Sequence, residues 1–177
     1  MTTLTTDRLE LKKIEKKDYE QIFKLFSNKK LLKYTDNYPH KTIEDTHKLI
    51  QKWNKELIEQ KSIRWSIWNK KDNIIIGIIS IYDINTKHKF ASIGSFLDDD
   101  YQRRGLMPEA RMATVDYAFN ILKINRLEAQ VFVGNKPSIK MLEKLGFKKE
   151  GKLRQNFMID NKLEDSFVYS ILKNDFK

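Results

Sequence analysis

Gln102, Arg103, Arg104, Gly105, Leu106 and Met107 are six consecutive residues whose types suit the binding of a phosphorylated anion. They follow an apolar run that ends at Leu97 and lead into a helical pattern that opens at about Met107. Their backbone N–H groups therefore fall at a helix start, where such groups lack intrahelical acceptors and the helix dipole is positive. Gly105 tolerates backbone angles that a side chain forbids and lets an anion come close. Arg103 and Arg104 add two full positive charges. A pyrophosphate is the simplest ligand for the stretch Leu97–Ala110, and a plain basic turn is the alternative.

Asn135–Phe147, NKPSIKMLEKLGF, is the second informative segment. Pro137 suits the first turn of a helix. Ile139, Met141, Leu142 and Leu145 form an apolar stripe at helical spacing. Gly146 stands where a C-terminal cap belongs, and Phe147 opens a new strand.

Taken together, the two segments resemble the GNAT family of acetyl-coenzyme A-dependent N-acetyltransferases. The family's pyrophosphate loop reads Q/R-x-x-G-x-G/A, and Gln102 to Met107 read Q-R-R-G-L-M. Met107 departs from the usual small residue, so its side chain must point away from the phosphates. The later pattern N-x-x-S-x-x-x-x-x-x-x-G-F is met by Asn135, Ser138, Gly146 and Phe147. This combination looks like the RimJ/RimL branch, which acetylates N-termini of ribosomal proteins. Thr6, Arg8, Leu9 and Leu11 match its opening T-x-R-L-x-L run, and Asp165, Tyr169 and Ser170 match its closing D-x-x-x-Y-S run.

The resemblance implies an α/β fold with a mixed, strongly bent sheet and flanking helices. Two neighbouring parallel strands, here Ala91–Leu97 and Arg126–Val133, splay apart at its centre. The unpaired backbone between them can bond a pantetheine arm as if it were a strand. Acetyl-coenzyme A is the implied co-substrate. Phe96, Leu97, Gln102, Arg103, Arg104, Gly105, Leu106, Met107, Asn135, Ser138 and Lys140 are the residues expected to bind it. Asn135 and Ser138 have helix capping and support as their plain structural roles. Lys140 and Lys144 are candidates for the 3′-phosphate, or solvated helix charges.

Amine acetylation asks little of a protein, because the thioester is already activated and much of the work is alignment. Many relatives carry a glutamate on the central strand before the loop. Here that strand, Ala91–Leu97, has no carboxylate, and Ser92 stands where one is expected. Asp83, Glu164 and Asp165 remain as bases acting through water, although each reads equally as a turn or structural residue. An α-amine, with a pKa of about 8, costs only about 1 kcal/mol to deprotonate at pH 7, against roughly 4–5 kcal/mol for a lysine side chain. The absent carboxylate thus favours an α-amine acceptor. Many relatives also use a tyrosine in the helix after Asn135 to protonate the leaving thiolate. No tyrosine stands there, and Ser138 is the candidate catalytic donor. Glu109 reads as a complement to the helix start rather than a catalyst.

Composition narrows the classes. The chain has 177 residues, which suits a single domain spanning 1–177 with a proper core. With no cysteine there is neither disulfide nor thiolate chemistry, and three scattered histidines give no metal spacing. The start, MTTLTTDRLELKK, lacks the apolar centre of a signal peptide, and the apolar run Ile74–Ile81 is too short to span a bilayer. A cytoplasmic location is expected. The formal charge is +10, but the lysines are dispersed and no nucleic-acid motif accompanies them. A positive field would aid capture of coenzyme A and oppose a strongly basic protein substrate. The expected partners are acetyl-coenzyme A and an amine acceptor, with no membrane and no specific nucleic acid, and with a homodimer left open. Two other readings stay in play: acetylation of a small amine (polyamine, aminoglycoside or amino acid derivative), and a non-catalytic acyl-CoA-binding module.

The pattern predicts these elements in order. Leu9–Ile14 is an outer strand, and Asp18 caps a first helix carrying Ile22, Leu25 and Phe26. Leu31–Asn37 is irregular. Thr42 and Asp45 open a second helix running to about Glu59. Ile63–Trp68 and Ile74–Tyr82 form a hairpin, with Trp65 and Trp68 read as core. A helix over Met107–Leu122, the Asn135 helix, and two closing strands at Lys148–Leu153 and Ser166–Leu172 complete the chain.

Overall fold

Leu9 and Leu11 alternate with charged residues, and both are fully buried, so this short run lays one apolar edge against the core. The computed structural model describes residues 1–35 and 37–176. Among these, eight strands form one mixed sheet. They are β1 (Leu4–Thr5), β2 (Leu9–Lys13), β3 (Ile63–Asn69), β4 (Ile74–Asn85), β5 (Phe90–Leu97), β6 (Arg126–Phe132), β7 (Lys148–Ile159) and β8 (Lys162–Leu172). The spatial order is β1-β2-β3-β4-β5-β6-β8-β7. Every neighbouring pair is antiparallel except β5 and β6, which are parallel and need a helical crossover.

That crossover is α4 (Leu106–Asn120). With α5 (Lys136–Lys144) it covers one face of the sheet, where Ala91, Ile93 and Leu97 of β5 meet Leu106, Ala110, Val115 and Leu142. The opposite face carries α1 (Tyr19–Ser27), α2 (Lys29–Leu32) and α3 (Ile43–Ile58). There Ile22, Phe26, Ile50 and Trp53 pack with Ile78, and Phe96 is half-buried against them. Trp65 lies in the core with its indole N–H donated to the Thr2 carbonyl at 2.9 Å, and Trp68 is half-buried with the Lys12 ammonium over its ring. No helix among the described residues is long and apolar enough to cross a membrane.

Three local expectations need correction. Asp18 stands at the N-cap of α1 as expected, but its side chain makes no capping bond to that helix. Its carboxylate instead accepts from the Glu15 backbone N–H at 2.8 Å and closes a short 3-10 turn ahead of α1. The stretch read as irregular begins inside α2, whose start is held by the Asn28 side chain accepting from the N–H groups of Lys30 and Leu31. Asp36, within that stretch, lies outside the described residues. The closing strands are longer than predicted and meet at Asp160 and Asn161, which have φ of 47° and 63°. Two successive left-handed residues suit the twist of a tight hairpin. By contrast, Thr42 and Asp45 do form the capping box that starts α3.

Candidate active site

β5 and β6 pair at only three positions, Phe90 with Arg126, Ala91 with Leu127 and Ser92 with Glu128. Beyond Ser92 they part. Ile93, Gly94, Ser95 and Phe96 form one wall of the opening, and Gln130, Val131 and Phe132 form the other. A cavity of about 380 Å³ fills it, reaching Phe26, Tyr34 and Trp53 on one side of the sheet and Arg111, Asn135 and Ser138 on the other. That volume falls in the range typical of small-ligand sites. The opening is lined by residues from both faces of the sheet.

At the β5 end, a short 3-10 turn (Asp99–Tyr101) precedes the basic loop. Here the sequence expectation shifts by one residue. The Gln102 N–H is already donated to the Asp99 carbonyl at 3.2 Å, and its side-chain amide donates to the Leu97 carbonyl and the Asp99 carboxylate. Gln102 therefore braces the loop. The N–H groups of Arg103, Arg104, Gly105, Leu106 and Met107 donate to no described residue. They stand at the start of a 15-residue helix. Arg103 and Gly105 hold φ of 60° and 75°, the turn that brings these groups round to the helix axis. Gly105 accepts this angle without the penalty a side chain incurs. Met107 packs its side chain on the core, away from the loop surface.

A clamp from the chain's start fixes this turn. Glu109 accepts from the Thr6 hydroxyl at 2.5 Å, the Arg8 N–H at 2.9 Å and the Arg8 guanidinium at 2.6 Å. Arg8 also donates to the Arg104 carbonyl at 2.8 Å. Partial burial alone would raise the Glu109 pKa, but these hydrogen bonds outweigh it and hold the carboxyl below its ordinary value. The opening T-x-R-L-x-L run thus serves the loop. Arg103 and Arg104 are exposed, with the Arg104 guanidinium 5.2 Å from the centre of the Tyr101 ring.

On the α5 side, the Asn135 side chain accepts from the Ser138 N–H at 3.2 Å, so Asn135 is the helix cap and lines the cavity as well. The Ser138 hydroxyl makes no hydrogen bond with a described residue. At the far end, Gly146 has φ of 85°, and the N–H groups of Gly146 and Phe147 return to the carbonyls of Glu143 and Leu142, a left-handed helix stop. Lys140 is exposed on α5 and does not line the cavity; Leu97 is buried and contributes its carbonyl to Gln102.

The candidate bases do not gather here. Asp165 pairs with Lys152 at 2.7 Å and accepts from the Gln155 N–H, which keeps its pKa low. Asp83 lies in a bulge of β4 with φ of 51°, and Glu164 belongs to the β7–β8 hairpin. Ser92 sits at the last paired position, at the apex of the opening. The closing D-x-x-x-Y-S run is structural: the buried Tyr169 hydroxyl donates to Glu143 of α5 at 2.9 Å, and Ser170 to Glu150 at 2.6 Å.

Two residues absent from the sequence expectations face the cavity together. Arg111 of α4 is only 4% exposed, and its Nε and Nη2 share the Ser95 hydroxyl at 3.1 and 2.9 Å. Its Nη1 is buried and has no hydrogen-bond partner among the described residues. Burial pulls the guanidinium down to about 10, with Tyr82 opposing the shift, so it stays cationic at pH 7.

A splayed parallel pair beside a helix start with five free N–H groups is the arrangement of an acyl-coenzyme A transferase. The chain belongs to the GNAT acetyltransferase family: the acetyltransferase (GNAT) domain model matches residues 8–148. It is an acetyl-coenzyme A-dependent N-acetyltransferase. It is 36% identical over 170 residues to the uncharacterized N-acetyltransferase YoaA of Bacillus subtilis, covering 96% of each chain. Its fold matches the ribosomal alpha-N-protein acetyltransferase RimL in complex with coenzyme A, with a TM-score of 0.90 at 22% identity over 97% of this chain and 98% of that one. It also matches spermidine N-acetyltransferase from Vibrio cholerae in complex with CoA and spermine, with a TM-score of 0.86 at 24% identity over 96% and 98%.

Proposed function

We propose that the chain transfers the acetyl group of acetyl-coenzyme A to a protein or peptide N-terminal α-amine, in the manner of the RimJ/RimL branch. One observation carries this reading. Among its described residues the cavity is lined by the cations Lys52, Arg64 and Arg111 and by no carboxylate. A polyamine needs anions to hold its several charges, and a lysine side chain needs a base to remove its proton. Among the described lining residues neither is supplied. An α-amine is already partly neutral at pH 7.

The pyrophosphate sits on the N–H groups from Arg103 to Met107, and the pantetheine arm bonds the free backbone edge of β5. The amine attacks the thioester carbonyl carbon; the C–N bond forms and the C–S bond breaks. Ser138 relays a proton to the departing thiolate, directly or through water, and regains one from solvent, while the amine proton leaves to solvent. Phe96 and Asn135 border the arm, and Lys140 lies on the outer side of α5 toward the 3′-phosphate.

The test is a matched peptide pair, one with a free N-terminus and no lysine, the other N-terminally blocked with one lysine. Mass spectrometry is expected to place the acetyl group on the free α-amine. Preferential transfer to the blocked lysine peptide, or to spermidine offered alongside, overturns the assignment.

A further inference from the structure

We propose that Arg111, held in place by Ser95, is the specificity residue of the cleft and binds a carboxylate carried by a substrate. The inference rests on the α-amine reading above and narrows it: the favoured acceptor carries a carboxylate close to its amine, as an N-terminal acidic residue or a free amino acid does.

The argument is one of compensation. Burying a guanidinium costs several kcal/mol unless a counter-charge and hydrogen bonds offset the loss of water. Arg111 is buried, yet among the described residues its only hydrogen-bond partner is the neutral Ser95 hydroxyl, shared by two of its nitrogens, with none for Nη1, while Tyr82 favours its charge electrostatically. Packing does not require a cation at this point. The same face of α4 presents Leu106, Ala110, Thr114, Val115 and Ala118, and an apolar side chain would continue that stripe. The guanidinium instead lines the cavity, on the wall formed by β5 just past the apex where the strands part. A planar donor fork with a free nitrogen matches a carboxylate. The pyrophosphate of the coenzyme is the wrong partner, because the free N–H groups for it lie a turn earlier, at the start of α4.

A carboxylate could reach Arg111 from either substrate, on the acceptor or at the end of a dicarboxylic acyl group, and the experiment separates the two. In the first arm, acetyl-coenzyme A is offered with peptides beginning with Glu or with Gln. In the second, a peptide beginning with Gln is offered with acetyl- or succinyl-coenzyme A. The wild type is expected to favour the Glu peptide in kcat/KM by about thirtyfold or more, the scale of losing one partner from a buried charge pair. Arg111→Met should bring that ratio close to one, and Arg111→Lys should restore part of it. Preference appearing in the second arm alone keeps the carboxylate subsite but moves its source to the acyl group.

Absence of preference in both arms overturns the inference while leaving the α-amine reading intact, since the Gln peptide is still acetylated. An equal fall in rate for both peptides in Arg111→Met also overturns it, because a contact to the reacting carbonyl or a structural role would act so. If no peptide is turned over, calorimetry of N-acetyl-Glu and N-acetyl-Gln peptides with coenzyme A present decides the matter without chemistry. Equal affinities refute the subsite; a carboxylate preference that Arg111→Met abolishes supports it. The Met variant is expected to fold, since replacing a buried charge by an apolar side chain of similar length is often neutral or stabilising.

Discussion

Positive charge is placed twice around the start of α4, once on the loop before it and once within it, in opposite ways. Arg103 and Arg104 are exposed on the loop, where water solvates them and each contributes little to any one contact. Arg111 is buried with one nitrogen unpartnered among the described residues, an arrangement in which a counter-charge contributes more than it would at the surface. At the proposed pyrophosphate loop the holding falls mostly to the backbone, through five N–H groups that donate to no described residue and a helix end. At the proposed carboxylate subsite it falls to a single side chain. The first arrangement suits a ligand every acetylation shares, and the second suits choosing among acceptors.

The largest effect on the loop side should come from the backbone. Gly105 has φ of 75°, and a Cβ there would meet the Arg8 guanidinium at 3.4 Å, the end of a flexible chain. Gly105→Val is therefore strained more than it is crowded, by about 1–2 kcal/mol. The turn shifts and the N–H groups lose their common aim. Losing two hydrogen bonds to an anion, at about 1.5–3 kcal/mol each, weakens acetyl-coenzyme A binding about a hundredfold or more. Calorimetry on the folded variant checks this; an unchanged affinity would remove the pyrophosphate from this loop.

A smaller effect separates the two kinds of cation. Arg103→Ala with Arg104→Ala should weaken acetyl-coenzyme A binding no more than about tenfold at low salt. Raising salt from about 0.05 to about 0.5 M should erase most of that difference, as screening shortens the reach of exposed charge. The carboxylate preference assigned to Arg111 should survive the same salt, because a buried charge pair is screened far less than an exposed one. If salt erodes both equally, the buried and exposed arginines do not differ as described.

The contrast also marks what could be read from sequence. The loop and the Asn135 helix were legible because local chemistry dictates them: a glycine where φ is positive, an asparagine cap, a proline in the first turn. The splayed pair was legible through family resemblance. Arg111 was not, although its signal was present. It falls at helical spacing with Met107, Val115 and Ala118, which face the core, a position where a charge is out of place. A pattern search for apolar spacing passes over the charged residue that breaks it. Gln102 was misread because its N–H is consumed by a turn that forms only once Asp99 is positioned. The closing hairpin was cut short because β7 is an edge strand with mostly exposed, polar residues, which carry no burial pattern.

The smallest effect concerns the clamp that lets the loop keep its shape. Glu109 is held ionised below its ordinary pKa by Thr6 and Arg8. A carboxyl whose folded pKa is depressed lends stability that is complete above its unfolded value, about 4.3, and is lost as pH falls through the lower folded value. Glu109→Gln removes the charge but leaves an oxygen to accept. Arg8 is half-exposed, its side chain 50% accessible, so solvent screens much of the pair. The variant should be less stable at pH 7 by only about 1 kcal/mol. Below about pH 4 the wild type loses the same charge, and the two melting temperatures should converge. Thermal denaturation from neutral to acid pH reads the gap. A gap that persists undiminished in acid would mean that the geometry of the Thr6, Arg8 and Glu109 contacts, rather than the carboxylate charge, holds the loop against the start of the chain.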